Sequence, residues 1–213
     1  MQNKTLVMYS LIVAIILFVL AAIFFNTKKD TALNSVDKKE LLLREYSIKD
    51  GFNGKNISIV QFIDPECGPC AIFHKAVKKL YKEYYKDIQI VTKYIANHKN
   101  SEFTIKLAEA AREQNLYNEV LEIILDTQHL WAKPNFEKPE LLWDLLSNIK
   151  ELDIEKLKVD MNNPKIDQII KQDRSDAITL EVRGTPTLFI DGELLKTLST
   201  QELFNMVEDK LIK

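Results

Sequence analysis

The chain has 213 residues, 46% of them apolar and 28% charged, with a formal net charge of -2. Such a balance offers no basic surface for nucleic acid, which is therefore not an expected partner. With 5 Gly and 6 Pro the chain is not loop-rich or disordered, and its 2 Cys, both inside one short stretch, exclude a distributed disulfide framework.

The first element is the run Thr5 to Phe25, TLVMYSLIVAIILFVLAAIFF, in which no residue is charged. Roughly 20 such residues suffice to cross a bilayer. A cleaved signal would have a shorter apolar region and a small-x-small cleavage site. This run instead ends in Ile23, Phe24 and Phe25. Residues 1–27 are therefore expected to be a membrane anchor, with a signal peptide as the other reading. Lys4 on one side and Lys28 and Lys29 on the other leave the topology to be decided by the chemistry. Residues 28–55 read as a polar tether with a docking patch at Leu41, Leu42 and Leu43. Gly51, Asn53 and Gly54 mark a turn before the first strand.

A domain is expected over 56–213. Asn56 to Ile63 reads as a buried strand. A helix follows from about Pro69 to Lys86, with Cys70, Phe73, Val77, Leu80, Tyr81 and Tyr84 on one face and lysines mainly on the other, solvated face. Ile88 to Ile95 is the next strand, giving a parallel pair with a right-handed crossover. From about 101 to 182 the pattern is helical, with Ser101 as a cap and Trp131 and Trp143 as core aromatics. Thr187 to Ile190 is a strand, Asp191-Gly192 a hairpin turn, and Leu194 to Leu198 its partner. Ser199 or Thr200 caps a last helix carrying Leu203, Phe204, Val207 and Leu211.

Chemistry concentrates at Cys67-Gly68-Pro69-Cys70, between a buried strand and an amphipathic helix. Two intervening residues let both sulfurs meet across one helical turn. The first thiol then stands at the helix N-terminus, where unpaired N–H groups favour a thiolate. Pro69 suits the first turn because its missing N–H is not needed there. No metal is expected: a zinc site needs two more ligands, His74 supplies at most one, and it reads as a surface helix residue. A structural disulfide closing so small a loop would stabilise little. Asp64 and Glu66 stand close enough to the motif to influence the thiols, but turn and solvent roles are the favoured reading, since Asp-Pro is itself a turn signal. His98 and His129 show no partner and read as ordinary polar residues. Gly184-Thr185-Pro186-Thr187 enters a strand, where Pro186 is either a simple strand boundary or a cis-proline.

The segments FIDPECGPCAIFH, AAREQNLYNEVLEIILDTQHLW and VRGTPTLFIDG together resemble the thioredoxin superfamily, and within it the DsbA/DsbG-like periplasmic proteins, from about Leu42 to Lys213. The resemblance implies a thioredoxin-like α/β fold with a helical insertion. It implies Cys67 as the exposed nucleophile and Cys70 as the buried resolving thiol, with Gly68 and Pro69 between them. Thr185-Pro186 would be a cis peptide facing the disulfide, the Thr185 backbone pairing with a bound substrate chain. The implied reaction is thiol–disulfide exchange on cysteine-containing proteins, without metal or organic cofactor. The implied setting is a single-pass protein of the inner membrane, its domain in the periplasm or outside the cell. A DsbB-like partner would re-oxidise an oxidase; a DsbD-like partner would supply electrons to a reductase or isomerase. The rival reading is a thioredoxin fold kept as a non-catalytic chaperone or scaffold. Two departures bear on direction: Gln61 stands where the family often has a buried acid, and Gly-Pro replaces the Pro-His of strong oxidants. A potential of roughly -270 to -120 mV is the corresponding expectation.

Overall fold

In the computed structural model, which describes residues 8–9, 11–24, 38–133 and 135–212, the chain divides into two units, Met1–Leu41 and Leu42–Lys213. In the first, residues 11–24 form a helix, α1, with exposed apolar side chains. Among the described residues no helix is long and apolar enough to cross a membrane. Thr5, Leu6, Val7, Ser10 and Phe25 of the expected span lie outside the described residues, as do 26–27 and residues 28–37 of the tether.

A short helix, α2 (Lys38–Leu42), leads into the second unit with Leu42 buried. The sheet begins with β1 (Lys49–Asp50) and β2 (Ile57–Ile63), continues through α3 (Gly68–Tyr84), and returns as β3 (Ile88–Tyr94). β2 and β3 pair in parallel from Ile57 opposite Ile88 to Ile63 opposite Tyr94. Every residue of both strands is buried, as expected where a sheet is covered on both faces. β1 adds antiparallel to the edge of β3. Gly51 makes this approach possible: its φ is 112°, and a Cβ there would sit 2.3 Å from the Ile88 carbonyl oxygen.

The helical region comprises α4 (Ser101–Ala110), a 3-10 turn (Ala111–Gln114), α5 (Tyr117–Asp126), α6 (Gln128–Trp131), α7 (Leu141–Leu146), α8 (Ile154–Asp160) and α9 (Pro164–Thr179). It is not helical throughout, because a two-stranded ladder, β4 (Ala132–Lys133) and β5 (Phe136–Glu137), interrupts it. Asn135 turns that ladder at φ 63°, a left-handed conformation that asparagine tolerates. Trp131 is fully buried there, and its indole N–H donates to the Ile124 carbonyl at 3.1 Å. Trp143 packs edge-on against Phe103.

β6 (Thr187–Ile190) pairs antiparallel with β2, and β7 (Glu193–Leu194) closes the edge, giving the order β1-β3-β2-β6-β7. The partner strand is shorter than the expected Leu194–Leu198. After one further bond from the Leu195 N–H to the Leu188 carbonyl the chain leaves the ladder, and Ser199 caps α10 (Thr200–Leu211), accepting from the Glu202 N–H. Leu203 and Val207 of α10 pack with Val77 and Leu80 of α3 on one face of the sheet. Leu42 and Ala177 of α9 join Val60, Phe62 and Phe189 in another cluster. Each fully buried Leu or Val contributes about 1.5–3 kcal/mol by the usual area scaling.

Candidate active site

β2 ends at Ile63, and the turn through Asp64, Pro65 and Glu66 brings the Cys67 N–H onto the Asp64 carbonyl oxygen at 3.0 Å. Cys67 is the N-cap of α3, with extended φ/ψ of -76° and 117°. Its carbonyl accepts from the N–H of Cys70 at 2.9 Å and of Ala71 at 3.3 Å. Pro69 occupies the first turn, where no N–H is required. Both cysteines are free thiols. Cys70 is 1% exposed and Cys67 only 7%. The openly exposed nucleophile implied by the resemblance is thus corrected: the Cys67 Sγ is tucked under the loop entering β6, donating to the Thr185 carbonyl oxygen at 3.3 Å. The Thr185–Pro186 peptide in that loop is cis.

The two thiols are unequal. Cys67 is lowered to about 6. The main cause is the Cys70 thiol donating to its sulfur; burial works against it, the Thr185 side chain and the Cys70 N–H help, and the charge of Asp64 opposes. Cys70 is raised, first because its proton is held in the bond to Cys67, then by burial. One sulfur is therefore available as a thiolate near neutral pH, while the other keeps its proton.

Asp64 is not a solvent residue. It is 0% exposed, and it accepts four hydrogen bonds. Oδ1 receives the Glu66 N–H at 2.9 Å and the Ser101 hydroxyl at 2.7 Å. Oδ2 receives the Asn97 N–H at 2.8 Å and meets His98 Nδ1 at 2.7 Å. His98 therefore has the partner that the sequence left unidentified. Ser101 does not cap α4; its hydroxyl also accepts from the His98 N–H at 2.9 Å. Glu66 is likewise buried and accepts from the Asn100 N–H and side-chain amide at 2.6 and 2.9 Å. The turn before the cysteines is thus clamped by the loop after β3. From the insertion, Gln128 reaches the Pro65 carbonyl at 2.7 Å.

His74 is half-buried rather than a surface residue, and neither ring nitrogen has a hydrogen-bond partner. Burial lowers its pKa. It lines a cavity of about 300 Å³ with Gln61, Tyr81 and Thr92. Gln61 is buried there and donates to the Thr92 hydroxyl at 2.9 Å. Among the described residues no group of three His, Cys, Asp or Glu side chains is placed to hold a metal ion. A larger cleft, about 750 Å³, opens beside Gly68 between α3 and the insertion, bounded by Ile72, His98, Gln128, His129 and Glu137.

The thioredoxin family model matches residues 54–209, so the chain belongs to the thioredoxin family. A putative protein-disulfide oxidoreductase of Rickettsia conorii is 28% identical over 76% of this chain and 59% of its own length. A probable disulfide bond formation protein D of Bacillus anthracis is 23% identical over 88% of this chain and 87% of its own. The chain spans less than two thirds of the Rickettsia protein, and only 21% of a Na(+)/H(+) antiporter NhaA of Herminiimonas arsenicoxydans that it matches at 22% identity. Among solved structures, the thiol-disulfide exchange protein alpha-DsbA2 of Wolbachia pipientis superposes with a TM-score of 0.71 at 22% identity, covering 85% of this chain and 97% of that one. The fold is therefore that of the DsbA-like thioredoxin proteins.

Proposed function

We propose that this chain performs thiol–disulfide exchange on cysteine-containing proteins through Cys67 and Cys70. The observation that carries the reading is geometric: Cys67 is the N-cap of α3 with its sulfur against the Thr185 carbonyl at 3.3 Å, at a cis Thr185–Pro186 peptide, and Cys70 is buried one turn on. In the reducing direction the Cys67 thiolate attacks one sulfur of a substrate disulfide, forming a mixed disulfide and releasing the other substrate sulfur as a thiolate. Cys70 then loses its proton and attacks the Cys67 sulfur. The Cys67–Cys70 disulfide forms, and the second substrate thiolate leaves. The same steps reversed oxidise a substrate dithiol. When Cys67 ionises, the Thr185 carbonyl loses its thiol donor and can accept a backbone N–H of the substrate. Gly68 and Pro69 offer no side-chain donor to the Cys67 sulfur, which supports a catalyst of intermediate oxidising strength, re-oxidised or reduced by a DsbB-like or DsbD-like membrane partner.

Cys70→Ser is expected to accumulate mixed disulfides with partner proteins, because no thiol resolves them; Cys67→Ser is expected to trap none. Trapping by Cys67→Ser instead would reverse the roles. Failure of both variants to trap, with no insulin reduction by the native protein, would leave a non-catalytic scaffold.

The anchor rests on the sequence, an uncharged run from Thr5 to Phe25. We infer that it holds the protein in the inner membrane with residues 56–213 on the oxidising side. The full-length protein should stay in the membrane pellet under alkaline extraction, and protease added to spheroplasts should digest the domain. Release by alkali, or complete protection from protease, would overturn this placement.

A further inference from the structure

The turn before Cys67 fixes two carboxylates, Asp64 and Glu66, and of the two it is Asp64 whose charge opposes the Cys67 thiolate. Asp64 holds the Cys67 N–H through its carbonyl and buries its carboxylate. A second negative charge close to a thiolate disfavours it. Of the four donors to that carboxylate, the Glu66 and Asn97 N–H groups and the Ser101 hydroxyl are neutral. The fourth is the imidazole of His98 at 2.7 Å, and its side chain is 48% exposed, so it exchanges a proton with solvent. The imidazolium is thus the one partner that can cancel the Asp64 charge, and it does so only while it holds its proton.

We propose that Asp64 and His98 form a titratable charge pair that tunes the ionisation of Cys67, and thereby the redox poise of the Cys67–Cys70 couple. Only the redox half of this statement rests on the exchange reading above; the tuning of ionisation stands on the geometry. Gly68 and Pro69 carry no side-chain donor, so no charge-bearing group between the cysteines competes with it. His98 is a positioning residue here, acting on the sulfur through Asp64 and through space.

The groups around His98 are otherwise balanced. Glu66 faces it from its own turn, and across the cleft stand Lys75 of α3, Asp126 of α5, His129 of α6, Lys133 of β4 and Glu137 of β5. Lys99 is paired with Glu137 at 3.4 Å. The hydrogen bond to Asp64 raises His98 above its ordinary 6.5, with the Cys67 and Glu66 charges adding to it. Cys67 is lowered, so while His98 holds its proton the reduced protein can present a thiolate to an imidazolium–carboxylate pair. As pH rises through the His98 value the carboxylate is uncovered and the thiolate is disfavoured. The disulfide carries no sulfur charge and is affected less. In the balance of protein disulfide plus two glutathione thiols against glutathione disulfide, Cys67 thiolate, Cys70 thiol and one proton, a protonated His98 favours the reduced protein.

The test uses the full-length reduced protein and the ultraviolet absorbance of the thiolate, with Cys67→Ser as baseline. His98→Asn keeps a side-chain N–H for Asp64 and removes the titratable charge. It should raise the Cys67 midpoint by about half a unit. Near neutral pH it should shift the glutathione equilibrium about threefold toward the disulfide, and the difference should vanish above the His98 range. His129→Gln, a change in the same cleft without a bond to Asp64, should leave the midpoint in place. An unchanged midpoint in His98→Asn, or an offset constant at all pH values, would sink the proposal. Should that variant misfold, the native protein still decides: by linkage the His98 imidazole, followed by NMR, must titrate lower in the disulfide form than in the reduced form. Equal values in the two forms would overturn it. These titrations need no substrate, so a protein inert toward insulin but showing both shifts would break the exchange reading and leave the charge pair standing.

Discussion

Buried carboxylates lie on α9, in the turn before Cys67 and, at Glu109 beside Arg112, on α4; the first two groups differ in the kind of partner they have. Asp173 and Asp176 of α9 meet permanent cations. Lys93 of β3, 0% exposed, reaches them at 2.7 and 2.8 Å. Arg44 meets Asp176 through two nitrogens at 2.7 and 3.0 Å, and the Tyr46 hydroxyl donates to Asp173 at 2.6 Å. Burial pushes Asp173 up; at Asp176 the same push is outweighed by the hydrogen bonds from Arg44 and Lys93, which hold it down. Because the two acids share one ammonium, their protons belong to the group as a whole. Asp64, by contrast, is satisfied by neutral donors and one imidazole. The first cluster has permanent cations as its counter-charges and ties residues 44–46 and α9 to β3. The second changes charge near neutrality, beside the thiol that reacts. Burial of an acid is thus structural where the counter-charge is fixed and chemical where it titrates.

The sharpest way to break this contrast is at Lys93. Lys93→Met leaves the two buried carboxylates with Arg44 as their cation beside the neutral donors Tyr46, Gln172 and the Tyr94 N–H, and should cost about 3–5 kcal/mol of stability, read as a lowered denaturant midpoint at neutral pH. Adding Asp173→Asn should recover part of the loss, since the two sites are coupled through direct contact. The Cys67 thiolate titration should stay where it is. A loss below about 1 kcal/mol would show the cluster to be as loosely held as an exposed ion pair.

The two regions also differ in how far the sequence announces them. Lys93 is visible as an anomaly: IQIVTKYI is otherwise a buried strand, and an ammonium there requires counter-charges. Asp173 and Asp176 offer them at helical spacing on a segment that also buries Ile166, Ile170 and Ala177. The strand Thr187–Ile190 and the start of α3 follow from β-branched runs and from Pro69 in the same way. His98 and Asp64 are different. They lie 34 residues apart, in two loops that only the parallel pairing of β2 and β3 brings side by side. The cover over Cys67 comes from a carbonyl 118 residues away. No local pattern encodes either contact. The β4–β5 ladder is hidden for another reason: strands of two residues carry no periodicity to detect. At Ser101 the spacing rule for caps favours a side chain that the fold instead spends on Asp64.

Ser101 supplies the finer test, because it supports Asp64 without carrying charge. It is fully buried, donates to Asp64 and accepts from the His98 N–H. Ser101→Ala removes both bonds and leaves the His98 N–H unsatisfied, at a cost of about 1.5–3 kcal/mol, the range for hydrogen bonds to charged groups. The imidazole can still reach the carboxylate, so the Cys67 thiolate should titrate within a few tenths of a unit of the native protein. His98→Asn should show the reverse pattern, a shifted thiolate with little change in stability. The crossed outcome separates holding the loop from setting its charge. If Ser101→Ala displaces the thiolate as far as His98→Asn does, the position of the loop and not the imidazolium governs Cys67. The two buried regions would then differ in degree rather than in kind.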